Sequence, residues 1–233
     1  MKRGKGGPHP LERDARAWLR EAKATLARTE SRCGGAVAEA AEAIIQCLET
    51  GGTVYFCGNG GSAADSQHLA TEFAGRFQVD RAALAAVALT TNSSALTAIG
   101  NDYGYAQVFS RQLEGLGTPG DVLIAISTSG GAASVRRAVT AARRLGMVTI
   151  AMTGQKGRDL AASCDVALVT PSDVTSHIQE GHIAMGHALC LIVERAIFGG
   201  APAPARPRAA RRRSAAKRSP KRATGARRSR GGA

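Results

Sequence analysis

Paired cysteines and long apolar segments are what this sequence lacks. The five cysteines are scattered and odd in number, with no CxxC pair, so nothing indicates a disulfide framework or a thiolate metal site. Cys57 and Cys190 lie in apolar runs, and we expect both to be small buried hydrophobic residues in a reducing compartment. No apolar run approaches the length of a membrane span, and none follows the basic N-terminus. We therefore expect a cytoplasmic protein.

Acidic residues are missing from both ends of the chain. Residues 201–233 contain 12 Lys or Arg and no Asp or Glu, and residues 1–10 contain three basic residues and no acid. The other 16 basic residues lie in 11–200 with all 18 acidic ones, which gives that segment a net charge of −2. We predict one domain over 11–200 between disordered basic ends, since these ends cannot bury enough apolar surface to fold. The tail is either a nucleic-acid-binding extension or a solvated one.

Two common nucleotide-binding motifs are also absent. No GxxxxGK[ST] segment occurs, and the glycines at Gly58, Gly60 and Gly61 do not have the GxGxxG spacing of a dinucleotide fold. This argues against ATP and NAD as ligands and favours a sugar phosphate.

What the sequence does contain is an alternation of apolar strands and helices. Such a pattern, with strands that are apolar throughout, predicts an α/β fold with a doubly wound five-stranded parallel sheet, covered by helices on both faces. The predicted strands are 53–57, 84–89, 121–126, 147–152 and 166–169. The predicted helices are an N-terminal helical pair at 11–29 and 35–48, then 63 onward, 92–99, 106–116, 133–145 and 175–198, with a loop at 100–104.

Two strands end in loops rich in glycine and hydroxyl side chains, Asn59–Ser62 and Ser127–Gly130, each followed by a helix. Backbone amides and a helix N-terminus suit an anion such as phosphate. In parallel sheets ligands bind beyond the carboxyl ends of the strands. Either loop alone could be a plain turn, but two of them favour a ligand site.

Metal or acid–base chemistry is suggested by polar residues on two helices. His68 and Glu72 are four residues apart and share a helix face. Gln179 and His187 lie on the last helix, eight residues or roughly 12 Å apart at 1.5 Å per residue. The four side chains would suit zinc, but purely structural roles remain open. We interpret Glu180 and His182, on the same helix, as solvated or interface residues.

Four segments in this order resemble the phosphoheptose isomerase family of the sugar-isomerase (SIS) domain superfamily, over residues 11–198. They are CGNGGSAADSQHLATEF, AIGNDYGY, AISTSGG and HIQEGHIAMGHAL. The resemblance implies a homotetramer with active sites at subunit interfaces, acting on a phosphorylated heptose. It also implies one zinc ion per subunit, held by His68, Glu72, Gln179 and His187. The implied substrate contacts are Asn59, Gly60, Gly61, Ser62, Glu72, Asn101, Asp102, Ser127, Thr128, Ser129 and Gln179.

The implied reaction is ketose–aldose isomerisation through an enediol, with Glu72 as base and His187 as acid–base partner. The alternative is a non-catalytic SIS-domain protein that binds the bacterial replication initiator. Glu72 argues against it, because such a protein needs no carboxylate four residues after His68.

The chain departs from the family pattern at three places. Ala132 stands where the family has a serine, so the hydroxyl expected there for one phosphate contact is missing, and Ser134 lies two residues further on. His177 stands where an arginine commonly precedes the IQE motif, and the basic tail has no counterpart in the pattern.

Overall fold

The computed structural model describes residues 9–199. The disorder predicted for 1–10 and 201–233 therefore lies outside the described residues, except at His9 and Pro10, and at Pro10 it is wrong because helix α1 begins there. The helices are α1 Pro10–Glu49, α2 Gly61–Ala74, α3 Ser93–Tyr103, α4 Ser110–Leu116, α5 Ala133–Arg144, α6 Arg158–Ala162 and α7 Thr175–Phe198. The strands are β1 Val54–Gly58, β2 Ala86–Ala88, β3 Val122–Ser127, β4 Val148–Gly154 and β5 Val166–Thr170.

The five strands form one parallel sheet in the order β2-β1-β3-β4-β5, which confirms the predicted fold class. Phe56 of β1 pairs with Ile124 of β3, which pairs with Ile150 of β4. The strand order reverses between β1 and β3, and open sheets of this kind bind ligands at such a switch point. The loops after these two strands are the two Gly/Ser loops.

Alternate residues of each strand point to opposite faces of the sheet and form two apolar clusters. On one face Phe56, Ile124 and Met152 pack with residues of α1, α2 and α7. On the other face Cys57, Ala125 and Ala151 pack with residues of α4, α5 and α6. As predicted, Cys57 and Cys190 are buried within these clusters.

The N-terminal region is one continuous helix of 40 residues, so the predicted helical pair is wrong. The sequence suggested a break near Gly34 and Gly35, but both lie inside α1. A glycine inside a helix costs only about 1 kcal/mol relative to alanine. The burial of Val37, Ala41 and Ile44 against the sheet outweighs that cost.

Two further differences follow from local capping. The predicted loop at 100–104 is helical up to Tyr103, because Asn92 caps α3 through its side chain and Gly104, with φ +84°, ends it. The predicted helix over 106–116 is divided into a 3₁₀ turn at Tyr105–Gln107 and α4. The five-residue helix α6 was not predicted.

Helix α7 is long and apolar enough, by length and composition alone, to cross a membrane, contrary to the expectation that no segment of that kind occurs. However, α7 packs on β4, β5, α1 and α2, and its buried residues include His182 and Glu194. The core helix of a globular domain passes the same test of composition. The packing therefore identifies α7 as a core helix.

Substitution of Gly35 by alanine should raise the free energy of unfolding by about 0.5–1 kcal/mol. The reason is that Gly35 is an exposed helical residue, and a Cβ added there would meet no atom within 4 Å. Urea unfolding measures the change. The matched control is Gly181→Ala, which should destabilise, since its Cβ would lie 2.6 Å from the Thr170 side chain. A destabilised Gly35→Ala would contradict this account of α1.

Candidate active site

Three ionisable side chains meet where α2 and α7 lie side by side. His68 Nε2 is 2.9 Å from His187 Nε2 and 3.4 Å from Glu72 Oε1. One ligand atom from each of the three lies within 4.8 Å of the others. Glu72 is partly buried, whereas about half of the His68 side chain is exposed. The structure thus joins the predicted His68–Glu72 pair to His187, across 119 positions of sequence.

These residues fit a divalent metal ion by the chemistry of their donor atoms. Two imidazole nitrogens and one carboxylate oxygen form the ligand set of many catalytic zinc sites, which keep a further position open for water or substrate. The carboxylate of Asp65, one turn before His68, adds negative charge nearby, and burial raises the pKa of this carboxyl group, partly offset by His68. This cluster could therefore hold a cation.

Gln179 lies elsewhere on α7. A Cβ added to Gly61 would collide with the Gln179 amide, whose Cδ would be 3.0 Å away, so this amide packs on the first turn of α2. Gly61 beside Gln179, and His68 beside His187, show that the two helices run parallel. Gln179 is therefore near the Asn59–Ser62 loop and about two helix turns from the His68 cluster. Within one subunit this position favours substrate contact over metal binding.

The loop after β3 is a tight turn. Ser127 is buried at the end of the strand, the Thr128 carbonyl accepts a hydrogen bond from the Gly154 amide, and Ser129 is exposed. Gly130 has φ +69°, and a Cβ there would lie 2.6 Å from the Gly157 backbone. The turn therefore requires glycine at position 130, and it presents Ser129 at the start of α5.

The departure at Ala132 affects the first turn of α5. Ala132 is the N-cap residue of α5, and no side chain caps the helix there. Ser134 does not replace the missing hydroxyl, since it is buried and accepts a hydrogen bond from Asn59 Nδ2 at 3.0 Å. The first amides of α5 thus remain available to an anion.

The loop after β1 connects two predicted contact regions. Asn59 reaches Ser134 of α5 through its amide nitrogen, and its Oδ1 accepts a hydrogen bond from the Tyr105 hydroxyl at 2.9 Å. Gly60 has φ +56° and precedes α2, where Ser62 is buried in the first turn. Asn59 therefore joins the segments that follow β1, α3 and β3.

Asn101 and Asp102 lie exposed in the last turn of α3, where the Asn101 amide donates a hydrogen bond to Asp102 Oδ1 at 2.8 Å. Tyr105, two residues after α3, ties this end of the helix to Asn59. Tyr105 was not among the predicted contact residues, although it lies within the AIGNDYGY segment, and Ser134 was noted only as a neighbour of Ala132. Their contacts with Asn59 are long-range and leave no local signal in the sequence.

His182 is completely buried within the subunit, so its interpretation as a solvated or interface residue is wrong. Burial lowers the pKa of His182 to about 4. The ring is neutral at physiological pH, and within the described residues neither of its nitrogens has a hydrogen-bond partner. The buried hydroxyls of Thr153 and Thr170 also have no hydrogen-bond partner within the described residues. His182 therefore belongs to the packing of α7 on the sheet.

Sequence comparison places the chain among known proteins. The SIS domain family matches residues 17–154. A phosphoheptose isomerase from Rhodospirillum rubrum is 50% identical over 187 residues, which cover 80% of this chain and 99% of the relative. A phosphoheptose isomerase from Akkermansia muciniphila is 51% identical over 166 residues, covering 71% of this chain and 88% of the relative.

Solved structures give the same result. The phosphoheptose isomerase of Neisseria gonorrhoeae matches with a TM-score of 0.75 and 46% identity, covering 79% of this chain and 98% of that chain. The enzyme of the same name from Francisella tularensis matches with a TM-score of 0.77 and 35% identity, over 80% and 100% of the two chains.

Proposed function

Because this chain belongs to the SIS domain family and, within it, to the phosphoheptose isomerases, we propose that it interconverts sedoheptulose 7-phosphate and D-glycero-D-manno-heptose 7-phosphate. The observation that carries the proposal is the meeting of Glu72 and His68 of α2 with His187 of α7. A binding protein of the replication-initiator type has no need of this acid–base cluster. The alternative function is not favoured.

The reaction moves a proton between C1 and C2 while the two oxygens exchange carbonyl character. Glu72 removes the carbon-bound proton to give an enediol, and His187 transfers a proton at the oxygen on which negative charge develops. The two side chains reach one space from different helices, so the base and the acid can act on adjacent substrate atoms. A zinc ion held by His68, Glu72 and His187, one per subunit, would polarise the carbonyl and stabilise that charge.

The proposed binding site for the substrate phosphate is separate from Glu72 and His187. The Ser127–Ser129 turn and the open amides of α5 offer hydroxyl and N–H donors to a phosphate. Asn59 to Ser62, with Gln179 against Gly61, then contact the sugar hydroxyls, and Asn101 with Asp102 contribute from α3. Binding energy from the phosphate would hold C1 and C2 at the catalytic pair.

Membership of the phosphoheptose isomerase family also leads us to propose a homotetramer with active sites at subunit interfaces. The exposed surface of α1 supports this proposal. Leu11, Trp18 and Leu19 are between 50% and 72% exposed on the first half of this helix. Large apolar side chains exposed on one helix favour contact with another protein surface. The enzyme would act in the cytoplasm.

Incubation of the zinc-loaded protein with sedoheptulose 7-phosphate should yield the aldoheptose phosphate, detected by chromatography or by NMR. A chelator should suppress turnover, and added zinc should restore it, since the ion would polarise the reacting carbonyl. The absence of product under zinc-replete conditions would refute the proposed activity. Turnover that is indifferent to thorough metal removal would refute the metal role alone.

Replacement of Glu72 by glutamine should reduce kcat by several orders of magnitude, since an amide cannot accept the carbon-bound proton. Substrate binding, measured by calorimetry, should persist because the glutamine amide retains the shape and polarity of the original side chain. Glu114→Gln is a suitable control, as Glu114 is an exposed carboxylate on α4 paired with Arg144. A Glu72→Gln variant with near-normal kcat would remove Glu72 from the role of base.

For the basic tail we propose binding to nucleic acid through phosphate neutralisation. Residues 201–233 contain 12 Lys or Arg and no acidic residue. The 11–200 segment has a net charge of −2, so it has no comparable electrostatic attraction to nucleic-acid phosphates.

Deletion of residues 201–233 should abolish salt-sensitive retention on DNA, because it removes 12 of the 31 basic residues, while leaving isomerase activity unchanged. Retention on a DNA column across a salt gradient measures the effect. If the truncated chain elutes at the same salt concentration as the full chain, the tail does not bind nucleic acid.

A further inference from the structure

A buried ion pair lies directly behind the catalytic cluster. Arg81 Nε is 2.9 Å from Glu194 Oε2, and the two side chains are 2% and 3% exposed. The Glu194 carboxylate also accepts hydrogen bonds from the backbone amides of Phe77, Gln78 and Val79 at 2.9–3.1 Å. Burial alone would raise the pKa of Glu194, but these amides and Arg81 lower it on balance. The pair is therefore charged and fully hydrogen-bonded.

The remaining guanidinium nitrogens of Arg81 bind the last turn of α2. Arg81 Nη2 donates to the carbonyl of Glu72 at 2.8 Å, and Nη1 donates to the carbonyl of Phe73 at 2.9 Å. Carbonyls in the last turn of a helix have no partner within that helix and favour a cation. Arg81 therefore fixes the backbone of Glu72, the residue that supplies the base.

The same assembly reaches His187. Glu194 follows His187 by seven residues, which is two turns of α7 and nearly the same face. The backbone amide of Phe77 donates a hydrogen bond to Glu194, and the centroid of the Phe77 ring lies 5.6 Å from the centroid of the His187 ring. Segment 77–81 thus contacts both proposed catalytic residues. Arg81 binds the backbone carbonyl of Glu72, and the Phe77 ring packs near the His187 ring.

Stability alone does not account for this arrangement. Replacing a buried ion pair by apolar residues of similar volume is often neutral or stabilising, so burial of the pair is weak evidence for a stabilising role. The planar guanidinium of Arg81 carries N–H donors in a fixed arrangement, so it holds the carbonyls of Glu72 and Phe73 in position together. An apolar pair could not do this.

We propose that Arg81 and Glu194 are positioning residues, which hold the Glu72 carboxylate and the His187 ring in register for proton transfer. This inference rests on the proposed isomerase function. Arg81 and Glu194 would not touch the substrate. They would determine whether Glu72 and His187, which do, are correctly placed.

The sharpest test is Arg81→Lys, which keeps a cation beside Glu194 but cannot reproduce the fork to both carbonyls. We expect kcat to fall by about 10- to 100-fold, since a shift of about 1 Å in a catalytic group can cost that much. KM should change little, because the substrate-binding loops are untouched. The affinity for zinc, measured by competition with a chromophoric chelator, should weaken by about tenfold, as for other residues that orient metal ligands.

The matched control is Arg144→Lys, the same substitution in the exposed pair with Glu114, which should leave kcat and zinc affinity unchanged. Wild-type kcat and zinc affinity in a folded Arg81→Lys variant would overturn the proposal. So would a loss of kcat that merely follows the unfolded fraction and disappears on cooling.

If Arg81→Lys does not fold, the double variant Arg81→Met with Glu194→Leu avoids an unpaired buried charge. It should fold and still turn over slowly, and normal turnover in it would reject the positioning role. A wild-type protein without isomerase activity would refute the proposed function instead. The comparison of zinc affinities would then still decide whether Arg81 positions the His68, Glu72 and His187 cluster.

Discussion

The close parallel contact between α2 and α7 is the constraint on which the active site depends. At Gly186 an added Cβ would lie 2.6 Å from Leu69, and at Gly61 it would collide with Gln179. Gly186 thus lets α7 lie close to Leu69 of α2, and Gly61 leaves room for the Gln179 amide at the start of α2. Without that approach His68 and Glu72 would remain an ordinary i,i+4 pair on a helix surface. The cluster of His68, Glu72 and His187 therefore depends on backbone packing as much as on its polar side chains.

Much of the fold could be predicted because the apolar pattern of each strand and helix is local. Helix α7 begins and ends at the predicted residues 175 and 198, and all five strands lie at or within about two residues of prediction. The failures concern glycine and short elements. Gly34 and Gly35 do not interrupt α1, since tertiary burial outweighs their low helix propensity. Conversely, Gly104 does end α3, where the backbone needs a positive φ.

The candidate site was predictable only in part. His68 with Glu72 follows from helical spacing, and the Gly/Ser loops follow from their position after strands. That His187 joins them could be inferred only from family resemblance, because the contact spans 119 positions. Glu194 left one unused signal, a carboxylate within the apolar segment ALCLIVERAIF of α7. An acid in such a run indicates a buried partner, although the sequence does not show that the partner is Arg81.

The separation between the two ends of the site relates the structure to its substrate. Gly61, with Gln179 against it, begins α2 beside Asn59, which Ser134 ties to the start of α5 and its open amides. His68 lies seven residues further along α2, about 10 Å at 1.5 Å per residue. A sugar phosphate whose phosphate lies on the carbon farthest from C1 and C2 can span that interval, whereas a short one bound at the phosphate end would not reach Glu72. Because the proposed proton transfer requires contact with Glu72, we expect the length of α2 between Gly61 and His68 to select for long phosphoketoses.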